Sequence, residues 1–253
     1  MNVVIIGSGN TASILGRKIK ANGHAVVQVT GRNAEAVRQL ASELDSEPNN
    51  DMTHIDRSAD LYIAALADSA LPGLHQHLSL DKKTIVHTAA AVSRDVLRQV
   101  SRNYGVLYPL QTLRKEQPYI PDIPFLVDGN TADDVALIQD FAATLSDKVM
   151  VADDHLRLKM HIAAVFVSNF VNYLYTVAAD FATKEQIDFS MLLPLVQETA
   201  NRLYTLSPRQ SQTGPALRND QPTIKKHLEA LDSYPDLKQL YELFTNKLIN
   251  KPK

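Results

Sequence analysis

The chain has 253 residues, 45% hydrophobic and 21% charged, with a formal net charge of −2. That balance leaves no electrostatic footprint for nucleic acid or an anionic membrane surface, so neither is an expected partner. Cysteine is absent, which excludes disulfides, thiolate nucleophiles and cysteine-ligated metals; no metal site is expected.

The first element is the apolar run Met1 to Ile6, which predicts a strand. It is short and lacks the basic flank of a secretory signal, so a cytoplasmic location is expected. Gly7-Ser8-Gly9-Asn10-Thr11-Ala12 follows, then a helix from about Asn10 to Asn22, stopped by Gly23. Strand, glycine turn and helix open a dinucleotide-binding βαβ unit of the G-x-G-x-x-A type. Gly7 permits the tight turn, Gly9 lets the backbone approach a pyrophosphate, and Ala12 lets helix and strand pack closely. The bland alternative is a tight turn with no ligand.

Strand two is Ala25 to Val29. Thr30-Gly31-Arg32-Asn33 then leads into a helix over about Ala34 to Glu43, with Asn33 as its N-cap. Glu47 to Asn50 reads as a polar loop and Thr53 to Ile55 as a short third strand. Further strands are predicted at Asp60–Leu66, Thr84–Thr88, Val106–Leu110, Phe125–Val127 and Lys148–Val151. Between them, helices are predicted at Asp68–Leu78, from Ser93 to about Asn103, and from Thr131 to about Leu145. Alternating strands and helices, with several continuous apolar strands, predict an α/β domain built on a doubly wound, mostly parallel sheet.

After Asp153 no strand is predicted. Helices run from about His155 to Thr183, Ser190 to Leu206, Pro222 to Leu231 and Pro235 to Leu248. The expected organisation is a Rossmann domain over 1–152 and an all-α domain over 153–253. The apolar stretch Ile162–Ala179 is broken by Ser168, Asn169, Asn172 and Thr176, which suits a buried helix better than a membrane span.

Four constellations carry chemistry. Arg32 ends strand two where an NAD-preferring protein usually has a carboxylate; an Arg fork suits a 2′-phosphate, so NADP(H) is expected, held by Thr30, Arg32 and Asn33 beside the glycine turn. Arg157, His161, Ser168, Asn172 and Thr176 share one side of the long helix, a polar stripe suited to a cleft. The loop Ser207–Asp220 holds Arg209 and Arg218, which either grip an anion or, in Arg218's case, partner the helix-capping Asp220. Finally, Leu66-Ala67-Asp68, His87-Thr88 and Tyr108-Pro109-Leu110-Gln111-Thr112 end strands on the side where open α/β sheets bind ligands.

Taken together, the glycine turn, His87-Thr88, Tyr108 to Thr112, the His161–Asn169 segment, and Thr213-Gly214-Pro215 with Arg218, Asp220 and His227 resemble the two-domain Rossmann-like NADP oxidoreductases whose C-terminal helical domain is of unknown function. The chain is more distantly similar to pyrroline-5-carboxylate reductases and β-hydroxyacid dehydrogenases. The resemblance implies a helical substrate and dimerisation domain, a homodimer, and a nicotinamide in the interdomain cleft. It departs from β-hydroxyacid dehydrogenases, which carry a Lys and an Asn four residues apart on the interdomain helix; here His161 is followed by Val165.

The expected function is NADP(H)-dependent hydride transfer to or from a small polar carbonyl or imine. Histidine is the side chain suited to giving a proton near neutral pH, so His161, with His87 second, is the expected acid. Leu66 and Ala67 are expected at the cofactor, and Gln111, Thr112, Ser168, Asn169, Asn172 and Arg218 at the substrate. The alternative is a sensor or structural protein that binds dinucleotide without turnover.

Overall fold

A computed structural model describes residues 1–250. Eight strands, β1 (Asn2–Ile6), β2 (Ala25–Thr30), β3 (Glu47–Asn49), β4 (Leu61–Ala64), β5 (Thr84–His87), β6 (Tyr104–Pro109), β7 (Phe125–Gly129) and β8 (Val149–Val151), form one sheet. Its order is β3-β2-β1-β4-β5-β6-β7-β8. Every pairing is parallel except β6 with β7. β1 sits between β2 and β4, so the chain reverses its winding at the carboxyl end of β1, where such sheets open a ligand crevice.

The period of two in the strands sorts the core. Val3 and Ile5 face one layer with Ile14, Leu15, Leu40 and Phe141. This layer is covered by α1 (Asn10–Ala21), α2 (Ala34–Leu44) and α3 (Ala132–Leu145). Val4 and Ile6 face the other layer with Tyr62, Leu71, Leu74 and Leu97. Among the described residues, no α-helix contributes to that second cluster. The helices predicted at Asp68–Leu78 and after Ser93 are 3₁₀ turns, Asp68–Ala70, Leu74–Gln76 and Arg94–Leu97. Pro72-Gly73 breaks the first, since proline has no N–H to give and glycine costs backbone entropy. The second ends early because Ser101 turns back to bridge Asp81 before β6 begins.

The third strand also differs from its prediction. Glu47–Asn49 pairs with Gln28–Thr30, and the predicted Thr53–Ile55 segment is a 3₁₀ turn at Met52–His54 capped by Asp51. A polar strand containing Pro48 is tolerated because it lies at the sheet edge.

The chain divides into two compact units after Asn169 rather than near Asp153. The reason is α4 (Asp154–Ala164), which belongs to the sheet unit. Arg157 on α4 is 1% exposed. Its Nε donates to the Ala90 carbonyl at 3.1 Å, and its Nη2 to the Val92 carbonyl at 2.6 Å and to Asp154 at 2.7 Å. The helix continues through a π-helical segment, Val165–Phe170.

The second unit begins at Phe170 and contains α5 (Val171–Lys184), α6 (Leu193–Asn201), α7 (Pro208–Ser211), α8 (Gln221–Ala230) and α9 (Pro235–Ile249). Among its described residues, Ala182, Ala216, Ile224, Leu231 and Thr245 are the buried ones, whereas Tyr173, Met191, Leu195, Leu203 and Tyr204 are exposed. The helical run Asp154–Lys184 is long and apolar enough to cross a membrane by length and composition, and none of its most apolar window is buried inside the chain. The expectation of a buried helix therefore fails for the isolated chain.

Arg157 generates a stability prediction. Arg157→Met keeps the bulk but leaves the Ala90 and Val92 carbonyls without their donor. The free energy of unfolding should fall by about 2–4 kcal/mol, measured by urea denaturation; an unchanged midpoint would contradict the anchoring role.

Candidate active site at the carboxyl edge of the sheet

The glycine turn is built by close approach. Gly7 has φ +124°, and a Cβ there would lie 2.2 Å from the Ala65 carbonyl oxygen; its N–H donates to the Thr30 carbonyl at 2.7 Å. Gly9 is different. A Cβ there would meet nothing within 4 Å, so packing does not require glycine. What its bare backbone leaves is an open approach to the start of α1. Gly9 is the N-cap and supplies no side-chain hydrogen bond, so the first-turn N–H groups remain free for an anion. Ala12 is fully buried in the first core layer, as close helix–strand packing requires.

A cavity of about 360 Å³ beside the turn is lined by Gly7, Ser8, Arg32, Asn33, Leu66 and His77, among others. The residues fit a dinucleotide: the bare backbone of Gly7 and Gly31 and the exposed Arg32 guanidinium share this cavity, and the free N-terminus of α1 follows from the same turn. Arg32 has no hydrogen-bond or ion-pair partner among the described residues. Asn33 caps α2 by accepting from Ala36 N at 3.1 Å, so its side chain is already engaged. Thr30 is buried and serves the turn through its carbonyl. Gly9, Asn10, Thr11 and Ala67 lie outside the cavity wall.

Residues that sequence reasoning missed also line this region. Gln76 and His77 border the Arg32 cavity, and an adjoining cavity adds Asn50 and Asp51. Asp51 is a carboxylate that lines the same cavity as Arg32. Hydrogen bonds from the Thr53 hydroxyl and N–H, and from His54, hold its carboxyl at about 2. The misplaced third strand hid this residue; correct pairing of β3 would have brought it to the crevice.

A second cluster joins β6 to the long helix. Tyr108, near the end of β6, is 9% exposed. Its hydroxyl lies 3.0 Å from His161 Nδ1, and the two rings meet edge to face at 6.1 Å. Burial holds the Tyr108 phenol above its ordinary range; the Arg157 charge opposes this and Asp68 reinforces it. Two turns further along, Ser168 Oγ lies 2.8 Å from Thr112 Oγ1. The polar stripe thus brings Arg157, His161 and Ser168 against the sheet unit. Gln111 is turned away, its amide donating to the Asp122 carbonyl at 3.0 Å and its carbonyl accepting from Thr112 N. Asn169 is exposed at the end of this unit. Asn172 and Arg218 belong to the second unit, where both are exposed; Asp220 caps α8 through Thr223 N at 3.2 Å.

His87 does not fit the acid role expected for it. It is 0% exposed, and Nδ1 accepts from Ala89 N at 3.1 Å, so the ring supports the turn after β5. Burial, aided by the Arg157 charge, pushes its pKa down to about 4. From the sequence this strand end faces the ligand crevice; the Ala89–Val92 turn, pinned by Arg157, covers it.

The linkage follows from that shift. In the unfolded chain His87 titrates near 6.5, so between about pH 6.5 and 4 the unfolded state binds the extra proton. Stability should be level above that window with respect to this group and fall through it on acidification, by on the order of 3 kcal/mol. His87→Gln should flatten this part of the stability profile in urea titrations at stepped pH; an unchanged slope would contradict the assignment.

Residues 2–91 match the family described as NADP oxidoreductase, coenzyme F420-dependent, and residues 123–248 match the domain of unknown function DUF2520. The crystal structure of a protein from Bacteroides fragilis described as a "putative NADP oxidoreductase" is 35% identical, over 99% of this chain and 98% of its own, with a TM-score of 0.90. The 1-pyrroline-5-carboxylate reductase of Streptococcus pyogenes is 18% identical over 99% of each chain, with a TM-score of 0.66. A reductive aminase from Aspergillus terreus, in complex with NADPH and ethyl-5-oxohexanoate, is 17% identical over 97% of this chain and 94% of its own, with a TM-score of 0.68. These last two share the fold. No curated protein matches the chain. The protein belongs to the family that joins an NADP oxidoreductase domain to a C-terminal DUF2520 domain.

Proposed function

We propose that the protein is an NADP(H)-dependent oxidoreductase acting on a small polar carbonyl or imine, with His161 as proton donor. The observation that carries this reading is the half-buried His161, held by Tyr108 at the carboxyl end of β6, in the same sheet unit as the open glycine turn. NADP(H), when bound, gives or takes the hydride. The first-turn N–H groups of α1 would bind the pyrophosphate, and Arg32 would bind the 2′-phosphate through charge-assisted hydrogen bonds. His161 would give its proton to the oxygen or nitrogen that gains negative charge as the C=O or C=N bond is reduced, and take it back in the reverse direction. Thr112 and Ser168 tie the same helix to the segment after β6. The aminase and the pyrroline-5-carboxylate reductase share only the fold with this chain, and their names make C=N compounds the first class to test.

The test has two parts. NADPH should bind more tightly than NADH, and Arg32→Ala should erase a preference worth on the order of 1.5–3 kcal/mol, read by calorimetry; equal affinities in the wild type would sink the 2′-phosphate assignment. NADPH consumption should then be followed against a panel of cyclic imines and small ketones. His161→Ala should lower turnover by roughly a hundredfold with NADPH affinity little changed. Binding without turnover on any member would favour a dinucleotide sensor.

We further propose that the protein works as a homodimer through its helical unit. Exposed Leu174, Leu195, Leu203, Tyr204 and Phe244, with so little buried in that unit, call for a second apolar surface, and a second copy supplies one by symmetry. A lipid occupant suits the long helix poorly, because Arg157, His161 and Ser168 along its first half are bonded to the sheet unit. Light scattering at micromolar concentration, without detergent, should give twice the chain mass; a monomer would remove the claim.

A further inference from the structure

We infer that His77 is a second reader of the cofactor's 2′-phosphate, donating to it from the turn after β4 while Arg32 donates from the loop after β2. The inference rests on the reading of the crevice as an NADP(H) site and adds a specificity-determining residue which that reading does not include. It starts where two cavities meet. The cavity beside the glycine turn, about 360 Å³, and the adjoining one, about 420 Å³, have Gly31, Arg32, Met52, Gln76 and His77 in both walls. A group held at Arg32 is therefore bordered by the turn after β4 as well. The backbone of His77 is fixed in that turn. Leu74 and Leu78 on either side of it are each 3% exposed and belong to the second core layer. The His77 N–H donates to the Leu74 carbonyl at 3.0 Å and closes the 3₁₀ turn. The His77 residue itself is exposed.

The donors around this junction divide into engaged and free. Asn50 Nδ2 donates to the Gly31 carbonyl at 2.7 Å. His75 Nδ1 lies 2.8 Å from the Pro72 carbonyl, and His54 Nδ1 lies 2.7 Å from Asp51 Oδ2. Asp51 Oδ1 accepts from the Thr53 N–H at 2.9 Å and from the Thr53 hydroxyl at 2.7 Å. Both oxygens of Asp51 are thus engaged within their own turn, and Arg32 is not paired with it. Of the residues in both walls, Arg32, Gln76 and His77 carry side-chain donors that make no hydrogen bond or ion pair among the described residues. A phosphate monoester carries about −1.5 to −2 charges at pH 7 and three strong acceptor oxygens. A guanidinium offers one positive charge and two parallel donors. Arg32 alone therefore leaves an oxygen and part of the charge unmet, and the Asp51 carboxylate in the adjoining wall adds a repulsion to be offset. Gln76 brings no charge. An imidazole has an N–H in either neutral tautomer and two when charged, so His77 has a donor for the remaining oxygen in every state. NADH has a ribose hydroxyl where NADPH has this phosphate. His77 therefore adds to the discrimination between the two and little to the binding of the dinucleotide as such.

The test is calorimetry on the full-length protein with two ligand pairs that differ only in the 2′-phosphate: NADPH with NADH, and adenosine 2′,5′-bisphosphate with adenosine 5′-monophosphate. The wild type should prefer the phosphorylated member of each pair. His77→Ala should reduce that preference about fivefold, by weakening the phosphorylated ligands while NADH stays within about twofold of wild type. His77→Lys, which restores a cationic donor, should recover most of the preference. A preference unmoved by His77→Ala would overturn the inference. So would an equal loss for both members of a pair, because it would make His77 part of the wall around the adenosine. The two readings fail separately. Equal affinities in the wild type remove the 2′-phosphate site, and His77's role with it. A wild-type preference that Arg32→Ala abolishes and His77→Ala leaves intact keeps the site and removes His77 from it.

Discussion

A guanidinium buried to 1% exposure ties the long helix to the sheet, and the geometry of the candidate site depends on it. Arg157 reaches across from α4 to the carbonyls of Ala90 and Val92, the turn that follows β5. An isolated buried charge is costly, but here it is paired with Asp154, and Nε and Nη2 are bonded while Nη1 is buried without a partner. Burial opposes ionisation of Asp154, yet hydrogen bonds from Ser93, Arg157 and the Arg94 backbone outweigh it and hold the carboxyl below its ordinary range. One helical turn beyond Arg157 comes His161. The clamp therefore sets both the height and the rotation at which His161 meets Tyr108, and it closes the β5 turn over His87.

The same clamp explains why two histidines that look equivalent in sequence have opposite fates. His87 ends a parallel strand and His161 sits on an amphipathic helix; both are imidazoles on the carboxyl side of the sheet. The loop drawn down by Arg157 covers His87, and burial together with that positive charge keeps its ring neutral to about pH 4. A neutral ring whose Nδ1 is already occupied by Ala89 N is a structural support. His161 is only half-buried, and a phenol engages it at Nδ1.

Much of the fold was legible from the residues. Continuous apolar strands, the Gly7–Ala12 turn and the caps at Asn33, Thr131 and Asp220 follow from local chemistry, and the caps hold as drawn. What failed failed for tertiary reasons. Pairing of Glu47–Asn49 with β2 is bought by an edge position and not by strand propensity. The turns after β4 and β5 carry helical periodicity, but connections to Leu80 and Ser101 cut them short. The candidate site was half legible: Arg32, His161 and Ser168 declared themselves by type and spacing, whereas Asp51 and His77 reach the crevice through contacts that no spacing encodes. Tyr108 stood inside a quoted motif, yet only the structure brings its hydroxyl to a ring nitrogen.

The helical unit poses the opposite problem, because there periodicity was read correctly and burial was not. An apolar face at helical spacing promises a partner surface, but the promise does not say whether that surface lies in the same chain. Met191 is 75% exposed and Tyr204 is 90% exposed. Hydrophobic burial contributes roughly 25 cal/mol per Å², and the conformational cost of ordering a helix must be met from it. A unit with five buried residues among its described ones forgoes most of that stabilisation when alone. The π-helical turn at Val165–Phe170 falls where the chain passes from the unit with its own core to the one without. Up to that turn the helix is held by polar bonds to the sheet. Beyond it, the helix presents apolar side chains, Tyr173 and Leu174 among them, that the chain itself leaves exposed.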